Sequence, residues 1–98
     1  MNKIHVIIAQ TIETTTGLST QVVRTYITGM MPQVGHKIRE RSFGIGIDHV
    51  IEEVVIDYDA DECCAYLQTI TLDGAELEDL RGYVNEYVQD GWEWPRPL

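Results

Sequence analysis

Apolar and polar positions along the chain fall into a succession of strand-like segments followed by one helical segment. From Lys3 to Thr15, β-branched residues crowd together (Ile4, Val6, Ile7, Ile8, Thr11, Ile12), the composition of a strand. The segment Leu18 to Met31 supports two readings. Leu18, Val22, Val23, Tyr26, Ile27, Met30 and Met31 fit a helical stripe with Ser19 as N-cap. The same segment is rich in Thr, Val, Tyr and Ile, which lose side-chain freedom in a helix and pack well in a strand. The strand is preferred, with Gly17 as the turn of a long amino-terminal hairpin.

Pro32 and Gly35 then punctuate the chain before His36-Lys37-Ile38-Arg39-Glu40-Arg41, a short alternating segment whose charges suit a sheet edge. Gly44 and Gly46 bracket a connection. Val50–Tyr58 and Cys63–Leu72 read as the arms of a second hairpin, with Asp59-Ala60-Asp61-Glu62 as the turn. In the first arm Val54, Ile56 and Tyr58 share a face opposite Glu53, Val55 and Asp57. In the second, Cys64, Tyr66, Ile70 and Leu72 lie opposite Ala65, Leu67 and Thr69, making a core-forming pair.

Leu77, Leu80, Val84, Tyr87 and Val88 recur at helical spacing, with Asp73 and Glu76 placed as a capping box and Gly91 and Pro95 as the stop. Gly82, unfavourable inside a helix, suggests close contact with a strand. The expected fold is therefore α+β: an antiparallel sheet of about four to five strands, two hairpins plus a short edge strand, packed by one carboxy-terminal helix. The alternative, with 18–31 helical, gives the order β-α-β-β-β-α. Residues 1–98 form a single domain, with 92–98 as a Trp/Pro-rich tail.

Charge changes this picture more than composition does. The chain carries a formal net charge of −9, but residues 1–47 sum to +3 and residues 48–98 to −12. Such a surface repels nucleic acid and anionic membrane and favours a basic partner. No run approaches the ~20 apolar residues of a membrane-spanning helix, and Met1-Asn2-Lys3-Ile4-His5 has no export-signal pattern, so a cytoplasmic location is expected.

Candidate chemistry is sparse. Cys63 and Cys64, the only cysteines, are adjacent and point to opposite faces of an extended segment, so no disulfide framework is expected. His5, His36 and His49 have no zinc-ligand spacing, Gly44-Ile45-Gly46 lacks the rest of a phosphate loop, and Asp59-Ala60-Asp61-Glu62 lacks the later ligands of a calcium loop. Asp48-His49 has the form of an acid orienting an imidazole, without a placed nucleophile. Neither catalytic residues, nor a metal, nor a cofactor is expected.

The feature above background is the acidic group. Glu52, Glu53, Asp57, Asp59, Asp61 and Glu62 on the hairpin, joined by Glu76 and Asp79 on the helix, are read as one continuous negative face, with Trp92 and Trp94 as aromatic anchors. The function expected is a small non-enzymatic binding protein, an inhibitor whose negative face docks on a basic, nucleic-acid-binding protein. In size and charge the chain is similar to phage-encoded inhibitors of host defence, anti-CRISPR proteins among them, and to immunity proteins. The alternative is a self-associating accessory protein, a homodimer joined by an edge strand or the tail, in which the acids serve solubility alone.

Overall fold

The computed structural model describes residues 3–40 and 48–98, so Arg41 and the Gly44-Ile45-Gly46 connection lie outside the described residues. The elements in chain order are β1 (Ile4–Thr14), β2 (Ser19–Thr28), β3 (Lys37–Arg39), β4 (Asp48–Asp57), β5 (Glu62–Leu67), β6 (Ile70–Leu72) and α1 (Leu77–Gln89). The strands form one curled sheet in the order β2-β1-β5-β4-β3, with β6 continuing beside β1. The α+β class and the single carboxy-terminal helix are as the sequence predicts.

β1 and β2 form the amino-terminal hairpin, Ile4 opposite Thr28 and Glu13 opposite Ser19, turning at Gly17 with φ 101°. The strand reading of 18–31 is correct, and the helical alternative is excluded by this ladder. β4 and β5 form the second hairpin, Asp57 opposite Glu62. The sheet is not wholly antiparallel, however. β1 runs parallel to β5, His5 opposite Glu62, and parallel to β6, Thr14 opposite Leu72. The arm read as Cys63–Leu72 is two strands separated by a break at Gln68 and Thr69.

Gln10 occupies that break. Fully buried, it donates from Nε2 to Thr11 O at 2.9 Å and Gln68 O at 2.8 Å, and its Oε1 accepts from His49 Nδ1 at 3.1 Å. A buried amide is stable there because each of its groups is paired.

Strand alternation puts Val6, Ile8, Gln10 and Ile12 of β1 on the concave face with Val22 of β2 and Ala65 and Leu67 of β5. A register shift between Ile51 and Glu53 lets Ile51 join that face while Val54 returns to it. Onto this face α1 lays Leu80, Val84 and Tyr87. The core-forming part of the second hairpin is shorter than its sequence suggests. Val55 and Ile56 are about half exposed and Tyr58 is 88% exposed, while Cys63, Ala65 and Leu67 are the buried set in β5.

The start of α1 lies at Glu76, whose backbone N–H donates to Asp79 Oδ2 at 3.0 Å, so the cap is one turn later than the Asp73/Glu76 box. Asp73 instead accepts a hydrogen bond from Thr15 Oγ1. At its other end Gly91, φ 102°, donates to Val88 O at 3.1 Å and Trp92 N donates to Tyr87 O at 3.0 Å, a Schellman arrangement. The rings of Trp92 and Tyr87 meet edge to face with centroids 5.3 Å apart.

Residues 92–98 are not a loose tail. Trp92 is 3% exposed, Glu93 exchanges both backbone hydrogen bonds with Val23 on the outer edge of β2, and Trp94 Nε1 donates to Thr20 Oγ1 at 2.8 Å. Arg81 Nε also donates to Leu98 O at 2.8 Å.

Arg24 and Glu40 hold the curl closed. Arg24, on β2 at one edge of the sheet, donates from Nη1 to Glu40 Oε1 at 2.9 Å, just beyond β3 at the other edge. The same nitrogen donates to Asp90 O at the end of α1 at 2.8 Å, and the guanidinium lies 5.5 Å from the Tyr26 ring centroid. Trp92 Nε1 donates to Glu40 Oε2 at 3.2 Å. With Glu40's side chain 9% exposed, removing Arg24 takes the counter-ion from a buried carboxylate.

Two stability outcomes follow, both read by chemical denaturation. Arg24→Ala should lose about 3 kcal/mol, with Glu40→Ala adding little to it in the double variant, since the two act as one unit. Gly82 is exposed in mid-helix with no atom within 4 Å of an added Cβ, contrary to the close contact its sequence position suggests. Gly82→Ala should therefore gain about 1 kcal/mol.

Candidate docking surface

The helix is too short to roof the whole sheet. Thirteen residues of α1 span about 20 Å, whereas the eleven of β1 span about 36 Å. α1 starts beside the carboxy-terminal end of β1, where Thr16 Oγ1 donates to Ala75 O, and ends at Arg24, which lies opposite Ile8. The concave face near Ile4 and Val6 is therefore free of helix.

That end is crossed by the β2–β3 connection, and a cleft of about 700 Å³ opens there between the two sheet edges. Val6 and Ile8 form its floor, Tyr26 and Ile27 of β2 one wall, Met30 and Met31 its end, and His36, Lys37 and Arg39 its basic rim. Met31 also lines a second, smaller hollow of about 170 Å³ with Ile56, Tyr58, Asp61 and Glu62 of the hairpin end. Ile27, Met30, Met31, Ile56 and Tyr58 are all substantially exposed, so this end of the molecule carries adjoining apolar surface.

The hairpin tip is built by its own acids. Asp57 Oδ1 accepts from the backbone N–H of Asp59 and of Ala60, each at 3.0 Å, folding the turn back, and Asp61 takes the left-handed conformation with φ 55°. Asp59 and Asp61 project from the turn in exposed positions, Glu62 is half-buried, and Tyr58 stands beside them. Glu52 and Glu53 are exposed on β4 at the register shift, past the last residue that β3 covers. Charges on an open strand edge also prevent edge-to-edge pairing.

Glu76 and Asp79 are not part of this group. The ladder places Glu62 beside His5 and Leu72 beside Thr14, so the hairpin tip and the helix start are roughly 30 Å apart along β1 at ~3.3 Å per residue. Asp79 is occupied in capping α1. The acidic group thus divides in two, and the continuous negative face read from the sequence is replaced by an acidic hairpin end. The two tryptophans lie elsewhere than on an exposed face: Trp92 is core and Trp94 is half-buried against β2. The exposed aromatic and aliphatic side chains beside the hairpin end are Tyr58, Ile56 and Met31. Tyr58 next to the Asp59 turn was legible in the sequence as a tip residue. The role of Met30-Met31-Pro32 depends on where the β2–β3 crossover lands.

Asp48 and His49 do not form an acid–imidazole pair. Asp48 takes Arg39 in a forked contact, Nε to Oδ1 at 2.8 Å and Nη2 to Oδ2 at 3.2 Å, and the guanidinium holds its carboxyl below the usual range. His49 faces Gln10 instead, and burial lowers its pKa. Burial raises both thiols, Cys63 on the concave face and Cys64 on the convex one, so each is held as the thiol. Among the described residues no three His, Cys, Asp or Glu side chains converge as metal ligands, and no helix is long and apolar enough to cross a membrane.

His49 gives the protein a pH dependence of defined sign. Its folded pKa lies below 6.5, so as pH falls through that value the unfolded chain binds the proton first and stability drops. Denaturation midpoints measured between about pH 7.5 and 5.5 should fall for the parent, and His49→Gln should flatten that slope.

Comparison of the chain with protein-family models, with curated proteins and with solved structures returns no match.

Proposed function

We propose that this is a non-enzymatic, cytoplasmic binding protein, an inhibitor that docks the end of its β4–β5 hairpin on a basic, nucleic-acid-binding protein. The observation that carries this reading is the placement of exposed Tyr58, Ile56 and Met31 among Asp57, Asp59, Asp61 and Glu62. An apolar centre inside a charged rim is the anatomy of a protein interface, in which a tyrosine anchors and the rim selects the partner. Carboxylates here attract a Lys/Arg-rich surface, speed the encounter, and occupy the positions that phosphates would take. Overall charge of the same sign disfavours direct binding of nucleic acid.

The test is affinity capture from nuclease-treated cell extract on the purified chain and on Glu53→Lys/Asp57→Lys/Asp59→Lys. The parent should retain a nucleic-acid-binding protein that added DNA displaces. The triple variant, with its thermal midpoint checked first, should bind that protein roughly a hundredfold more weakly. Equal retention of the same protein by a folded triple variant, or retention that DNA leaves unchanged, would refute the proposal.

A further inference from the structure

We infer that the cleft between β2 and β3 is the docking site for the hairpin tip of a second copy of this chain, so that two copies clasp each other reciprocally. The cleft is lined by residues that want cover: Met30 is 79% exposed and Met31 45% exposed, beside the buried floor of Val6 and Ile8. Its volume of about 700 Å³ lies within the range that holds a buried ligand or a few side chains.

Main-chain groups lie along the outer edge of β2 beside the cleft. Val23 exchanges backbone hydrogen bonds with Glu93 on the outer edge of β2, and strand parity turns the N–H and C=O of Thr25 and Ile27 toward that edge too. The carboxy-terminal segment leaves them uncovered, since after Glu93 it runs toward Thr20. Among the described residues no strand pairs with this stretch on its outer side.

Charge identifies the occupant. In a chain of net charge −9, the rim presents His36 and the exposed Lys37 beside an apolar slot, with Arg39 next to them already held by Asp48. The complementary surface, an exposed aromatic ring between carboxylates, is the chain's own hairpin tip: Tyr58 flanked by Asp57, Asp59 and Asp61. The slot accepts the ring and Lys37 pairs with the acids. Slot and tip adjoin on each molecule, because Met31 lines both. Adjacent donor and acceptor surfaces allow a two-fold arrangement in which each copy inserts its tip into the other, closing a dimer instead of propagating a chain.

This interface uses the same tip as the function proposed above but needs no partner, so the purified chain tests it alone. Sedimentation velocity over a concentration series should show a monomer–dimer equilibrium. Lys37→Glu and Asp59→Lys should each raise the dissociation constant about tenfold or more, and the chain carrying both should recover most of the loss, since the exchanged charges again face each other. Tyr58→Ala should weaken the dimer with no change of charge. A parent that stays monomeric to about 1 mM overturns the proposal. So does a doubly reversed chain that associates no better than the single variants, or a dimer indifferent to all of these changes. Lys37→Glu leaves the tip intact, so loss of the dimer with partner capture retained separates this inference from the proposed function.

Discussion

One ion pair sets the shape on which the remaining geometry depends. In a sheet with the order β2-β1-β5-β4-β3, β2 and β3 are the two edge strands among the described residues. Arg24 and Glu40 bring those edges toward each other across the concave face, and the arginine also ties down the end of α1 through Asp90 O. Removing two charges from water costs several kcal/mol per ion, and the pair is stable because Trp92 Nε1 and the Tyr26 ring complete its shell. Burial, then the Glu40 carboxylate, raises the Tyr26 phenol above its ordinary pKa, keeping that ring neutral beside the pair.

The curl has a direct effect on the surface. Because the helix covers only the end of the concave face near Thr14, the Ile4 end stays accessible, and the crossover through Met30 and Met31 roofs it incompletely. The acidic hairpin end adjoins this gap. Exposed apolar residues and carboxylates are thereby concentrated at one pole, while the acids at the helix start, Glu76 and Asp79, serve α1 at the other.

The α+β class, both hairpins and the helix were legible because each rests on local pattern: β-branched density in β1, Gly17 at a left-handed turn, and the spacing of Leu80, Val84 and Tyr87. What local pattern does not encode is which strand becomes whose neighbour. The parallel pairing of β1 with β5 follows from burying Ala65 and Leu67 against Ile8 and Ile12, a choice made by the whole core. The extra residue at Ile51/Glu53 shifts phase within β4, which alternation alone does not reveal. In the candidate site the tip acids were legible and their separation from Glu76 and Asp79 was not, since sequence distance says nothing about which end of β1 each group occupies. Trp92 misled for a related reason: aromatic residues near Pro95 and Pro97 have the composition of an exposed segment, yet the Schellman turn at Gly91 directs the indole inward.

The docking of residues 92–94 has a bearing on how the chain reaches this state. Trp92 meets Glu40 across 52 positions and Trp94 meets Thr20 across 74. Contacts so distant in sequence require large loops to close before they contribute, which places this topology among slow folders. While those loops are open, the β2 edge at Val23 and the indole of Trp92 are both uncovered. The unfolded chain therefore offers other chains a strand edge that the docked residues 92–94 cover in the native fold.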